Sequence, residues 1–83
     1  MRILYFAWVR ERIGKAEETL EPPADVKTAG DLLRWLKGLG EEYDHALERP
    51  EVIRVAVDQR HVRAEAPIAG AREVALFPPM TGG

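Results

Sequence analysis

Apolar residues crowd the first nine positions of the chain, and they do so on both parities. Ile3, Tyr5, Ala7 and Val9 fall on one side of an extended backbone, and Leu4, Phe6 and Trp8 on the other. No breaker interrupts them, so the pattern predicts a strand from Met1 to Val9, covered on both faces by its own domain or by a partner. Arg10-Glu11-Arg12-Ile13-Gly14 brings charge and a glycine and reads as a turn. From Lys15 to Glu21, Ala16, Glu18 and Leu20 alternate with Glu17, Thr19 and Glu21. This is a second strand, close enough to the first to form a hairpin. Pro22-Pro23 ends it, because proline has no N–H to give to a ladder.

The apolar period then changes. Thr28-Ala29-Gly30-Asp31 has the form of a capping box, in which the threonine hydroxyl accepts from the backbone three residues on and Asp31 reaches back. Leu32, Leu33, Leu36 and Leu39 follow at helical spacing, with Trp35 at the rim of their stripe and Gly38 and Gly40 marking the end. Glu42 to Glu48 predicts a short second helix with Tyr43, Ala46 and Leu47 inward. Val52 to Val57 reads as a third strand, Asp58-Gln59-Arg60 as a turn and His61-Val62-Arg63 as a short edge strand. Pro67 to Gly70 turns again before a last strand, Glu73 to Phe77, stopped by Pro78-Pro79. The order β-β-α-β-β-β makes an α+β domain. One main helix covering one face of a mixed sheet is the β-grasp, or ubiquitin-like, arrangement; 42–48 is too short for the second crossover helix of a ferredoxin-like fold. The expected division is a domain over 1–77 and a flexible tail over 78–83.

In that arrangement the leucine stripe packs on Ile3, Tyr5, Val55, Val57, Val74 and Leu76. The first and last strands are neighbours, so Phe6, Trp8 and Phe77 emerge on the opposite face as one apolar patch beside the tail, with His61 nearby. Such a patch marks a protein-binding surface.

Composition narrows the chemistry. Eighty-three residues allow one domain. The chain contains no Cys, Ser or Asn, and its histidines are His45 and His61 alone. No Ser-His-Asp or Cys-His constellation can be built from this set, and no disulfide or zinc knuckle. The two histidines lack a flanking acidic cluster, so no metal site is expected. Glu17-Glu18 and Glu41-Glu42 are adjacent pairs that diverge, which suits solvated turns better than general acid–base work. A net charge of −2 with interspersed signs speaks against a nucleic-acid partner. No apolar run approaches the roughly 20 residues of a membrane span, and the N-terminus lacks the form of a signal peptide. A cytoplasmic location is expected.

What remains is the end of the chain, Pro78-Pro79-Met80-Thr81-Gly82-Gly83. Two prolines stiffen the exit from the last strand, and the segment reaches at most about 20 Å when extended. Beyond them are two residues without side chains and the α-carboxylate. Glycine lets a backbone enter a channel that any Cβ would block, so this carboxylate can be presented inside another protein's active site.

Phe6-Ala7-Trp8-Val9-Arg10-Glu11 with Gly14, Val57-Asp58-Gln59, and above all Phe77-Pro78-Pro79-Met80-Thr81-Gly82-Gly83 resemble the small, sulfur-carrying subunits of molybdopterin synthase. Asp58, where that family often has Asn, and the charged surroundings of His61, often more apolar there, depart from the pattern without touching the tail. The resemblance implies that a ubiquitin-activating-type adenylyltransferase uses ATP to adenylate the Gly83 carboxylate, which a sulfur donor converts to a thiocarboxylate. It further implies that the tail, with Gly82, Thr81, Pro79 and Pro78, inserts into the large catalytic subunit within a heterotetramer of two small and two large subunits. There sulfur passes to cyclic pyranopterin monophosphate to build the molybdopterin dithiolene. No cofactor is bound by the chain itself, and the chain is not catalytic alone. The alternatives within the same fold are a sulfur carrier or protein modifier for thiamine or tRNA thiolation, or a β-grasp interaction domain with an inert terminus.

Overall fold

The first strand stops well before its apolar run does. In the computed structural model, which describes residues 1–79, β1 covers Arg2–Tyr5 and is followed by a helix, α1, at Ala7–Ile13. The segment read as the end of a strand and a turn is therefore helical. The physical reason lies in spacing: Val9 and Ile13 are four residues apart with Arg10, Glu11 and Arg12 between them, and both are buried. The Phe6 N–H still donates to the Leu76 carbonyl at 3.1 Å. Ala7 then takes a left-handed φ of 52°, swinging the chain off the sheet. Gly14, at φ 91°, closes the helix by donating to the Arg10 carbonyl.

The remaining elements are β2 (Glu17–Thr19), α2 (Ala29–Lys37), α3 (Glu41–Ala46), a 3-10 turn (Pro50–Val52), β3 (Arg54–Val57), β4 (Arg60–Val62) and β5 (Glu73–Phe77). They form one sheet in the order β2-β1-β5-β3-β4. β1 and β5 run parallel at its centre, and every other pairing is antiparallel. β1 and β2 do pair as expected, joined through α1 instead of a tight turn. The expected third strand loses Val52 to the 3-10 turn and begins only at Arg54. β3 and β4 are joined by Asp58 and Gln59, both left-handed, at 48° and 71°; this is the two-residue hairpin geometry that matches strand twist. Asp58 Oδ1 also accepts from the N–H groups of Arg72 (3.0 Å) and Glu73 (3.1 Å), fastening this turn to the start of β5.

α2 begins with the expected capping box. The Thr28 hydroxyl accepts from the Asp31 N–H at 3.1 Å, and the Asp31 carboxylate accepts from the N–H groups of Lys27 and Thr28. Those backbone donors hold the Asp31 carboxyl below its ordinary value. Gly30 gives the helix a close approach: a Cβ there would stand 3.2 Å from the Ala64 carbonyl, which accepts the Gly30 N–H at 2.7 Å. Leu32, Leu33 and Leu36 are buried with Ile3, Tyr5, Val55, Val74 and Leu76, while Val57 is only partly buried. Leu39 leaves the expected stripe. It lies beyond Gly38, where the helix has ended, and is 41% exposed. The second helix appears with Tyr43, Ala46 and Leu47 buried, and with Val9 and Ile13 these extend the core past one edge of α2.

A polar knot secures that extension. Glu18 sits opposite Ile3 on β2. One of its carboxylate oxygens accepts from the hydroxyls of Tyr5 (2.6 Å) and Tyr43 (2.7 Å), and the other from the Lys15 ammonium at 3.2 Å. Glu17, its neighbour, points the other way and pairs with Arg2. Burial alone would raise the Glu18 carboxyl; the two hydroxyls and the lysine outweigh it and hold it below its ordinary value of 4.5.

Two outcomes follow from this packing. Leu36→Ala should cost about 2–5 kcal/mol in denaturant unfolding, because Leu36 has no accessible surface and belongs to the main core cluster. A loss under about 0.5 kcal/mol would show that the stripe does not carry the core. A carboxyl whose folded value is depressed contributes stability above its unfolded value, and that contribution is lost as pH falls through the folded value. Glu18→Gln should therefore lower stability at neutral pH and flatten the loss of stability below about pH 4.5. Unfolding curves of equal slope in acid for both proteins would remove Glu18 from that role.

Candidate functional site

β1 and β5 end side by side. With Tyr5 in register with Leu76, the next residues out, Phe6 and Phe77, stand together on the sheet face away from α2. Their rings stack at 4.6 Å between centroids and 5° between planes, an offset-stack spacing. Phe6 is 41% exposed and Phe77 half-buried, so the expected patch exists. β4 brings His61 to the same place, its ring centroid 5.7 Å from that of Phe77 and tilted by 41°. Arg54 pairs with Phe77 in the β3–β5 ladder. Phe6, Ala7, Arg54, His61, Phe77, Pro78 and Pro79 line a depression of about 480 Å³.

Beside this stack the outer face has two small residues at its middle. Leu4, Ala75, Ala56 and His61 follow one another across the four strands, and both alanines are 5% exposed.

Trp8 does not join the patch. It rides on α1, half-buried against the core, with the Arg12 guanidinium 4.3 Å from its ring centroid. Its expected alternation with Phe6 fails because Ala7 turns the backbone between them. Pro78 and Pro79 are half-buried and lead the chain away from β5 beside the aromatic stack. Thr81, Gly82 and Gly83 lie outside the described residues.

Sequence reasoning missed Arg54. It is the polar member of an alternating strand, and only the register that sets it against Phe77 makes it part of the site. Among the described residues no group of three or more His, Asp or Glu side chains is arranged to hold a metal ion. Nor, among them, is any helix long and apolar enough to cross a membrane. What this site offers is an exposed aromatic stack beside a shallow depression, with Pro78 and Pro79 at its margin.

The molybdopterin synthase sulfur carrier subunit of Escherichia coli (strain K12) is 35% identical over 83 residues, spanning 100% of this chain and 99% of that one. The protein of the same name from Dictyostelium discoideum is 34% identical over 99% of this chain and 94% of its own. The crystal structure of Haloferax volcanii small archaeal modifier protein 1 superposes with a TM-score of 0.69 at 30% identity, covering 96% of this chain and 97% of that one. Residues 3–83 match the ThiS family model. From β1 through the closing Gly82-Gly83, then, this β-grasp chain belongs to the ThiS family.

Proposed function

We propose that this chain is the sulfur carrier subunit of a molybdopterin synthase and acts in molybdenum cofactor biosynthesis. The observation that carries this reading is identity of 35% with a carrier of that name over all of this chain, tail included, and 99% of that one. The chemistry is assigned to the Gly83 carboxylate. A carboxylate is a poor electrophile, so a ubiquitin-activating-type adenylyltransferase first joins it to the AMP part of ATP, releasing pyrophosphate. The acyl–phosphate anhydride then has a good leaving group. Sulfur from a donor attacks the Gly83 carbonyl carbon, AMP departs, and a thiocarboxylate remains.

The charged tail then enters the large catalytic subunit, where its sulfur passes to cyclic pyranopterin monophosphate; two such transfers complete the dithiolene. Gly82 and Gly83 keep the tail narrow enough for the channel, and Thr81, Pro79 and Pro78 govern its approach. The stack of Phe6 and Phe77, with His61 beside it, docks on the large subunit while the tail is inserted. The assembly is a heterotetramer of two small and two large subunits in the cytoplasm. The carrier binds no cofactor of its own, and ATP is consumed on the activating enzyme.

A second reading, covalent conjugation to other proteins, draws on the likeness to the small archaeal modifier protein. It uses the same adenylate and differs only in whether a lysine or a sulfur donor attacks it.

Intact-protein mass spectrometry after incubation with ATP, the activating enzyme and a sulfur source should show a sulfur-for-oxygen mass increase confined to the Gly83 carboxyl. A chain extended by one residue past Gly83 should show none while unfolding within a few tenths of a kcal/mol of the parent, since the core precedes Pro78. Sulfur transfer by a chain with a blocked terminus would refute the assignment. Phe77→Ala should weaken binding to the large subunit by about tenfold or more and leave the fold intact. Unchanged affinity would remove the aromatic stack from the interface.

A further inference from the structure

Beside the root of the tail, two adjoining depressions share Arg54, His61 and Pro79 as lining residues. Arg63 lines one of them, and Glu51 is the one carboxylate among the described residues lining either. Glu51 pairs with Arg49 at 3.3 Å. Arg54 and Arg63 are exposed, and among the described residues neither makes an ion pair or a side-chain hydrogen bond. The other end of the same sheet face is different: Arg2 lies 2.9 Å from Glu17 and 3.8 Å from Glu73, so its charge is answered within the chain. The protein as a whole is acidic, with a net charge of −2. Positive charge left without a carboxylate partner at the margin of an exposed aromatic stack is not required by the packing of this domain.

We propose that Arg54, with Arg63 beside it, selects the partner of this face: a protein surface that lays an apolar side chain against Phe6 and Phe77 and sets carboxylates around it. The inference rests on the reading that this face docks on the large subunit, and it adds the charge that subunit must present. Exposed charges at an interface margin act mainly on encounter and on discrimination against wrong partners, while the desolvated apolar anchor governs how long the complex lasts. A like charge placed opposite is disfavoured, so a carrier with this margin is turned away by a basic surface of the same shape. Arginine suits the task because its planar guanidinium can hold a carboxylate through two hydrogen bonds.

The test is affinity of the full chain for the large subunit from the same source, at about 0.05 M and 0.5 M salt, where the screening length falls from roughly 14 Å to about 4 Å. Arg54→Glu should bind about tenfold or more weakly at low salt, with the deficit shrinking to within about threefold at high salt. Arg54→Lys should keep most of the low-salt affinity. Phe77→Ala should lose affinity at both salt concentrations, and so reports on the docking reading separately. If Arg54→Glu binds within twofold of the parent while Phe77→Ala is weakened, the charge selection is wrong and the docking face stands. If neither substitution matters, the docking face itself is wrong, and the inference falls with it. A deficit for Arg54→Glu that salt does not change would make Arg54 a packing residue and overturn the proposal. So would a deficit that disappears when the Gly83 carboxylate is amidated, since Arg54 would then be answering the chain's own terminus.

Discussion

The parallel pairing of β1 with β5 is the constraint on which the other features depend. It places the last strand at the centre of the sheet, where Val74 and Leu76 lie in register with Ile3 and Tyr5 against α2. A terminal strand buried in this way cannot fray without opening the core. It therefore holds the start of the tail in a fixed place. The same register sets Phe6 against Phe77 on the outer face, so one set of backbone hydrogen bonds builds both the core and the exposed aromatic stack. A parallel neighbour requires a long connection between strands, and here nearly the whole chain between Tyr5 and Glu73 supplies it.

Within that connection the chain uses polar groups sparingly and completely. The Glu18 carboxylate gathers two tyrosine hydroxyls and one lysine, and among the described residues no buried side-chain nitrogen or oxygen is left without a partner. Tyr5 comes from the central strand and Tyr43 from α3, so the knot ties the outlying short helix to the sheet. In a domain this small each such tie is a sizeable fraction of net stability. Asp58 does comparable work at the far end, where its carboxylate fastens the β3–β4 turn to the start of β5. Both acidic residues are consumed in holding the fold. At its Phe6–Phe77 end the outer face carries aromatic, small and cationic side chains, while Glu17 and Glu73 lie with Arg2 at the other end.

That division of labour suits a carrier. Under the proposed function the domain need only stay folded, present a surface and deliver a terminus, because the reacting group would be a main-chain carboxylate. The absence of Cys and Ser from the sequence is no handicap to a protein whose cargo rides on its end.

The sequence by itself determined much of this. The capping box at Thr28 and Asp31, the Leu32-Leu33-Leu36 stripe and the last strand are all local patterns, and local patterns survive without knowledge of neighbours. The family, too, was legible in the closing Phe-Pro-Pro-Met-Thr-Gly-Gly. The helix at Ala7–Ile13 was misread because its first three residues continue a run that is apolar on both parities, which a short strand and a short helix satisfy equally well, and its charged residues resemble a turn. The Val9–Ile13 spacing and Gly14 were the signals that pointed the other way. Trp8 was misplaced for the same reason: a left-handed backbone at an alanine has no sequence signature. Leu39 was over-assigned because periodicity continues past a glycine that ends the helix itself. Arg54 was invisible as a site residue, and only the tertiary structure decided it. Which polar side chain of an alternating strand meets an aromatic ring depends on the register between β3 and β5, a contact between segments some twenty residues apart in the chain. Registers of that kind are set by the packing of the whole sheet, and no stretch of either strand encodes them alone.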